Sequence, residues 1–250
     1  PWARWQETQA AVKLNVLFSV EEELPELCSI VTANEHDVNS LKTLTFAAGH
    51  YYVFDRGYPD FASWFRINQS GAWFVTRLKR CVKFRVKESR KVDKTTGLRC
   101  DQTIELKGKK GSKRYTLPLR RIRYCDIETG NMLVFASNNF ALPALTITAI
   151  YKKRWEIELF FRWMKQHLRL RKFFCRDING VRSQVWSAIC AYLLIAIAKK
   201  ELNLSESLYT LQEVFAVSIF QRVPISELLA NPAIRKTQPE EDNLLLFNEL

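Results

Sequence analysis

The chain has 250 residues, of which 47% are hydrophobic and 12% aromatic, and its formal net charge is +12 at pH 7. This length and apolar content suit one or two folded domains with a sizeable core and exclude a disordered, charge-rich chain. The six cysteines form no C-x2-C pair, which argues against a structural zinc site or a disulfide framework and predicts reduced thiols in the cytoplasm.

Alternating apolar residues and turn residues predict strands and helices in the first third of the chain. The predicted elements are strands Val12–Val20 and Glu26–Ala33, a helix Val38–Phe46, a strand Tyr51–Phe54, a helix that Asp60 caps and that runs to about Gln69, and a strand Trp73–Leu78. Asp37 precedes the first helical pattern, where a helix N-cap is expected.

A strongly basic, β-rich stretch follows. Between Arg77 and Arg123 there are 18 Lys and Arg against 4 Asp and Glu, whereas the rest of the chain has 20 against 22. Strands are predicted at Val82–Val86, Gln102–Leu106, Tyr115–Leu119 and Met132–Ala136. The charge indicates a nucleic-acid partner, with Lys109, Lys110, Lys113 and Arg114 as candidate DNA-binding residues. The alternative is an exposed hairpin that charge keeps soluble.

The last part of the chain is predicted to be helical. Helices are predicted at about Leu145–Arg171, Val181–Glu201 and Ser207–Ser218, before a polar tail. The apolar run from Val185 to Ala198 is too short to span a bilayer comfortably and predicts a buried helix. The predicted divisions are residues 1–80 and 141–230 for a core, 81–140 for a basic insertion, and 231–250 for the tail.

Four polar residues recur within the first of these helices. Tyr151, Arg154, Glu158 and Lys165 are separated by three, four and seven residues. At about 100° per residue, these steps put them within roughly a 60° arc of one α-helix. One carboxylate among cations suits a metal ion and phosphates, although a solvated face with a simple i,i+4 ion pair has the same pattern.

The spacing Y-x2-R-x3-E-x6-K of these residues resembles the signature of the insertion-sequence-four family of bacterial DDE transposases. Asp55 ends an apolar strand and is followed by Arg56-Gly57-Tyr58, which is similar to the second catalytic motif of that family. The resemblance extends from about Ala11 to about Leu229. It implies a ribonuclease-H-like α/β fold, with a mixed sheet and flanking helices interrupted by the basic insertion and followed by C-terminal helices.

The resemblance also implies roles for individual residues. Asp55 and Glu158 would be catalytic and would bind Mg²⁺ or Mn²⁺, with two ions in the intact enzyme. Tyr151, Arg154 and Lys165 would hold the phosphates and the end nucleotide of the transposon DNA. The enzyme would act as a homodimer on double-stranded DNA, at transposon ends and target, in the bacterial cytoplasm near the nucleoid.

One catalytic residue of the family is not found. Such enzymes use Asp, Asp and Glu, and the first Asp lies on a strand that we expect before residue 1. We therefore expect a fragment that cleaves little or no DNA by itself, because Asp37 fits a helix cap better than a catalytic position. The alternative function is a non-catalytic DNA-binding remnant that acts through the basic insertion.

Overall fold

The computed structural model of the chain describes residues 4–6, 9–10, 12–32, 38–55, 60–108, 114–168, 170, 173–175, 177–218 and 222–230. Several predictions fall outside these described residues: the Asp37 cap, the motif Arg56-Gly57-Tyr58, Lys109, Lys110, Lys113 and the C-terminal tail. The chain divides into two units, Pro1–Phe161 and Arg162–Leu250.

Strands dominate the first unit. They are β1 (Arg4–Gln6), β2 (Gln9–Ala10), β3 (Val12–Ser19), β4 (Leu24–Thr32), β5 (Tyr51–Phe54), β6 (Trp73–Arg77), β7 (Phe84–Arg90), β8 (Leu98–Leu106), β9 (Leu119–Cys125) and β10 (Met132–Ser137). The described helices of the chain are α1 (Val38–Thr43), α2 (Phe61–Gln69), α3 (Ala144–Lys152), α4 (Trp155–His167), α5 (Ile178–Glu201), α6 (Leu208–Ser218) and α7 (Ile225–Ala230).

Six strands form one mixed sheet in the order β5-β6-β10-β9-β8-β7. β5 and β6 are parallel, with Phe54 opposite Thr76, and the other neighbouring strands are antiparallel. This sheet with its helices confirms the predicted mixed α/β class and is consistent with a ribonuclease-H-like fold. The strands of the basic stretch extend the same sheet as β5 and β6, whereas β3 and β4 form a separate hairpin.

Alternation of side chains gives the six-stranded sheet two apolar faces. On one face, Phe54 belongs to a core that includes Trp64 of α2. On the other face, Val75 and Phe135 pack with Ile147 of α3. The position of a residue along its strand therefore decides whether its side chain faces α2 or α3.

The N-terminus of α2 is capped as predicted. The Asp60 carboxylate accepts hydrogen bonds from the backbone N–H groups of Ala62 and Ser63, each at 3.3 Å. These bonds satisfy two of the amides that have no partner inside the helix. The cap fixes where α2 begins, and α2 then buries Trp64 against Phe74, with ring centroids 5.0 Å apart.

The prediction of a strand at Tyr115–Leu119 is wrong, because β9 begins only at Leu119. Pro118 has no N–H to donate to a neighbouring strand. Tyr115 is only 1% exposed, and its ring lies edge-on to Phe74 with centroids 6.4 Å apart. The apolar character of this run therefore reflects core packing of an irregular segment.

In the second unit, α5 is longer than predicted, with 24 residues from Ile178 to Glu201. It is the one described helix that is long and apolar enough to cross a membrane, by length and composition only. Core helices of other proteins meet the same criterion, and a third of its apolar window is buried. The prediction of a buried helix holds for one face only, because Trp186, Leu194 and Ile197 are exposed.

Candidate active site

The prediction of one continuous helix through residues 151–165 is wrong, because the chain turns at Lys153 and Arg154 between α3 and α4. The four predicted site residues Tyr151, Arg154, Glu158 and Lys165 are therefore divided by this turn. At this turn the Arg154 N–H donates to the Tyr151 carbonyl at 3.0 Å, an i to i−3 bond instead of the helical i to i−4 bond. Tyr151 therefore lies at the end of α3, while Glu158 and Lys165 lie on α4.

Packing on two different surfaces explains this break. Tyr151 of α3 packs against Phe135 of the six-stranded sheet, with ring centroids 4.8 Å apart. Phe160 of α4 packs against Phe18 of the β3–β4 hairpin, with centroids 5.4 Å apart. Because each helix buries an aromatic ring against a different sheet, the turn directs each helix to its own surface.

An ion pair joins Arg154 to Glu158 across the turn. The Arg154 Nη2 donates to Glu158 Oε1 at 2.5 Å, and the two side chains are 21% and 34% exposed. The Nε of Arg154 is buried and has no hydrogen-bond partner among the described residues. A charged and directional pair therefore holds the carboxylate of Glu158, and the guanidinium keeps one donor unused.

Tyr151 is a buried phenol beside this ion pair. Its side chain is 7% exposed, and the Arg154 guanidinium lies 5.8 Å from the centroid of its ring. By strict geometry its hydroxyl has no hydrogen-bond partner within the described part of the chain, although the Arg154 side chain lies close enough for a hydrogen-bonding effect that lowers the pKa of Tyr151. Burial raises the pKa of Tyr151, the charge of Arg154 opposes the rise, and the charge of Asp55 adds to it. The phenol is therefore neutral at physiological pH and can donate a hydrogen bond.

Asp55 directly follows β5 and lies near Tyr151 and Arg154. Val53, two residues earlier, faces α3. Because side chains alternate between the two faces of a strand, the side chain of Asp55 is directed toward the same face. Burial lowers the pKa of Arg154, but the hydrogen bond to Glu158 and the charges of Tyr151, Glu158 and Asp55 outweigh burial and leave it raised. The end of β5 and the turn between α3 and α4 thus bring two carboxylates, a phenol and a guanidinium into one electrostatic environment.

Arg77 is a residue of this region that the sequence reasoning missed. It ends β6, and its strand neighbour Thr76 pairs with Phe54, the residue before Asp55. Arg77 also lies opposite Phe135, which packs on Tyr151. No hydrogen bond or ion pair joins its guanidinium to another described residue, and its charge lowers the pKa of Tyr151. The available signal was a cation at the end of an apolar strand, comparable to the carboxylate Asp55 that follows β5.

Ion pairs neutralise part of the basic stretch. Glu105 pairs with Lys87 at 3.0 Å, Glu88 with Arg90 at 3.3 Å, and Asp101 with Arg120 at 2.7 Å. Other cations of the stretch are exposed and make no ion pair with a described residue: Arg80, Lys83, Arg85, Lys107, Arg114 and Arg123. Lys83 and Lys107 are neighbours at one end of the sheet, where the Lys107 N–H donates to the Lys83 carbonyl at 2.8 Å.

The carboxylates fit a divalent cation in chemical type but form an incomplete set. Among the described residues, no group of three or more His, Cys, Asp and Glu could hold a metal ion. Asp55 and Glu158 offer the hard oxygen ligands that Mg²⁺ and Mn²⁺ prefer, and Glu158 is already bonded to Arg154. Asp55 and Glu158 can therefore supply part of a metal site.

Comparison with known proteins identifies the class to which these features belong. Residues 1–194 match the sequence model of the family described as Transposase DDE domain. The match covers most of the chain, so the protein belongs to the DDE transposase family. Enzymes of this family act with divalent metal ions.

Individual relatives carry transposase names. The chain is 31% identical over 237 residues to a protein of Sinorhizobium fredii named as a candidate transposase, a region covering 93% of this chain and 66% of that protein. It is 31% identical over 215 residues to a protein of Geobacillus stearothermophilus named as a candidate transposase for insertion sequence element IS5377, covering 83% of this chain and 55% of that protein. The chain thus spans about two thirds and about half of these relatives.

Proposed function

We propose that the chain is the catalytic domain of an insertion-sequence-four type transposase, which cuts DNA at transposon ends and joins the freed 3′ ends to target DNA. The observation that supports this function best is the ion pair of Arg154 and Glu158 beside the buried Tyr151, within electrostatic reach of Asp55. A further similarity over 51 residues, at 39% identity, is to a Synechocystis protein named as a candidate transposase for insertion sequence element IS4SA, covering 20% of this chain and 15% of that protein.

Asp55 and Glu158 are proposed to hold divalent ions, Mg²⁺ or Mn²⁺, of which the intact enzyme binds two. When bound, such ions activate water and neutralise charge at the phosphate. A strand end and a helix are rigid positions for the two carboxylates. Arg154 keeps the Glu158 carboxylate oriented before an ion binds, and the second carboxylate oxygen is available to the ion.

The cations and the phenol are proposed to bind the DNA backbone near the cut. Arg154 retains a buried Nε, and the charge of Arg77 reaches Tyr151; neither this Nε nor the Arg77 guanidinium has a hydrogen-bond or ion-pair partner among the described residues. A guanidinium matches the geometry of a phosphate through two N–H donors. The neutral Tyr151 hydroxyl can donate a third hydrogen bond. Lys165, which lies in the second unit, is proposed separately as a point charge that contacts DNA phosphate.

The exposed cations of the basic stretch are proposed to bind the rest of the DNA duplex. Lys83 and Lys107 lie at one end of the sheet, and Lys109, Lys110 and Lys113 follow Lys107 closely in the sequence. Contacts of this kind supply affinity without sequence preference. We also propose that the protein acts as a homodimer on paired ends in the bacterial cytoplasm.

The function is tested by measuring strand cleavage of a transposon-end duplex with the protein encoded by the natural reading frame that contains these 250 residues. Asp55→Asn and Glu158→Gln should each lower the Mg²⁺-dependent rate at least about 100-fold, because each removes a charged ligand. Glu156→Gln, on the same helix, is the matched control and should stay within about 2-fold of the wild-type rate.

Two outcomes would contradict the proposal. Cleavage that persists in Glu158→Gln would exclude the proposed carboxylate. Tight DNA binding without cleavage in Mg²⁺ or Mn²⁺, in the wild-type protein, would instead favour the non-catalytic remnant.

A further inference from the structure

Asn139 occupies a buried position in the loop between β10 and α3. It is 3% exposed, and its side-chain amide uses both ends. The Oδ1 accepts from the backbone N–H groups of Ala141 and Leu142 at 2.9 and 2.8 Å. The Nδ2 donates to the hydroxyl of Tyr51 on β5 at 2.6 Å. One side chain thus joins the entry of α3 to the strand that leads to Asp55.

A buried ion pair anchors the same loop to the middle of the sheet. Arg120 of β9 donates from Nε and Nη2 to the two carboxylate oxygens of Asp101 on β8, at 2.9 and 2.7 Å. Its Nη1 donates to the backbone carbonyls of Leu142 at 2.5 Å and Asn139 at 3.4 Å. Arg120 and Asp101 are 4% and 5% exposed, so this anchor is shielded from solvent.

The start of α3 depends on this loop because the helix has no side-chain cap of its own. Its N-cap residue is Pro143, which makes no side-chain hydrogen bond. Asn139 and Arg120 instead bond the backbone just before the helix. Tyr151 lies near the far end of α3, about 10 Å along the axis at 1.5 Å per residue. A tilt of about 5° at the loop would therefore move Tyr151 by about 1 Å.

We propose that Asn139 is a positioning residue of the candidate active site, which holds the strand ending at Asp55 and the helix carrying Tyr151 at a fixed relative position. The effect on catalysis rests on the function proposed above, whereas the effect on Tyr151 does not. Tyr51 connects Asn139 to the strand that ends at Asp55. Its ring stacks on Trp73 of β6 with centroids 4.9 Å apart, and Asp55 follows four residues later. A displacement of about 1 Å at a reacting group can lower a rate about 100-fold.

The first test uses this chain labelled with 3-fluorotyrosine and measures the ¹⁹F resonance of Tyr151, assigned by its loss in Tyr151→Phe. Asn139→Ala and Tyr51→Phe should each shift or broaden this resonance. Tyr52→Phe is the matched control, because it also removes a tyrosine hydroxyl from β5. The Tyr52 hydroxyl lies on the opposite face of the sheet, where it accepts a hydrogen bond from the Ala47 N–H at 2.9 Å. Tyr52→Phe should leave the Tyr151 resonance unchanged.

The second test measures single-turnover cleavage at saturating DNA with the protein from the natural reading frame. Asn139→Ala and Tyr51→Phe should lower the rate about 10- to 100-fold and leave the Kd for DNA within about 2-fold. Asn139→Asp should recover most of the rate, because a carboxylate still accepts from both loop amides and can accept from the Tyr51 hydroxyl. Tyr52→Phe should cleave at the wild-type rate.

The two tests separate the possible failures. An unchanged Tyr151 resonance in Tyr51→Phe would overturn the positioning role even if Asn139→Ala does not fold. A shifted resonance with an unchanged cleavage rate would overturn its importance for the reaction. A wild-type protein that does not cleave DNA would contradict the proposed function only, and the resonance of Tyr151 would still decide whether Asn139 positions it.

Discussion

Arg154 shows how one residue can serve two partners in the candidate site. It binds the Glu158 carboxylate through Nη2 and lies beside the Tyr151 ring, and its Nε has no partner among the described residues. An isolated i,i+4 pair on a helix surface contributes only a few tenths of a kcal/mol. Here the guanidinium is half-buried and shared, so we propose that its geometry matters more for recognition of a phosphate than for stability.

Replacing Arg154 should therefore affect recognition of the DNA end more than total affinity. We expect Arg154→Lys to lower the ratio of end-containing to random-duplex binding about 10-fold, since lysine loses the two-pronged donor geometry. Affinity for random duplex should fall less than about 3-fold. Titrations on both duplexes measure this ratio, and Lys153→Gln in the same turn is the control. Equal losses on the two duplexes would contradict the local role.

His167 links protonation to the stability of the second unit. It packs against Trp163 and Tyr209, with ring centroids 5.4 and 4.7 Å apart. Burial lowers the pKa of His167 below its usual 6.5, and the charge of Glu213 partly opposes this. Below about pH 6.5 the unfolded chain binds a proton that the folded chain resists, so the free energy of unfolding should fall as pH falls from 6.5 toward the lowered pKa.

Urea unfolding of the wild type and of His167→Phe between pH 5 and 7.5 measures this dependence. The variant keeps the aromatic contacts and removes the titrating group, so its stability should change less over this range. Parallel pH profiles for the two proteins would exclude His167 as the source.

At the scale of elements, the two strands β8 and β9 are joined by a buried charge pair, Asp101 with Arg120. Removing one partner of such a pair leaves an uncompensated charge in the core. This pair also holds the loop before α3, so it connects the stability of the basic strands with the position of Tyr151. The exposed pair of Lys87 and Glu105, on β7 and β8, has no such connection.

Asp101→Asn should lower the free energy of unfolding by about 3 kcal/mol, because Arg120 keeps its charge and loses its counter-charge. Glu105→Gln, the matched control on the same strand, should cost less than about 1 kcal/mol, since its pair is solvent-exposed. Denaturant titrations of both variants give the comparison. Similar costs for the two variants would mean that the buried pair is not a special anchor.

The elements themselves were largely predictable from the sequence. Strand β5 and helix α2 with its Asp60 cap follow from short-range signals, namely an apolar run and a capping residue. The break between α3 and α4 was not predictable, because the segment from Tyr151 to Met164 contains neither Gly nor Pro and has a continuous helical pattern. Packing against two separate sheets overrides that local preference.

At the scale of the whole molecule, the net charge of +12 should dominate non-specific DNA binding. Each contact of Lys or Arg with a phosphate makes the slope of log K against log salt more negative by about 0.9. Neutralising Lys109, Lys110, Lys113 and Arg114 together should therefore reduce the salt slope by up to about 3.6. Titrations of random duplex at several salt concentrations measure the slope.

The control neutralises four cations outside the basic stretch: Lys13, Lys42, Lys199 and Lys200. It should change the slope by less than about 1. An unchanged slope in the first variant would mean that the basic stretch is a solvated hairpin and does not bind DNA.

The sequence by itself determined the features that depend on neighbouring residues and on composition. These are the α/β class and the basic stretch. The motifs that resemble a known family, which are also visible along the chain, added the candidate residues Asp55, Tyr151, Arg154 and Glu158. Only the tertiary structure decided that a turn divides the polar residues between two helices, that Arg77 lies beside them, and that Asn139 connects β5 to α3. These features depend on strand register and on contacts between residues up to 88 positions apart, which local periodicity does not encode.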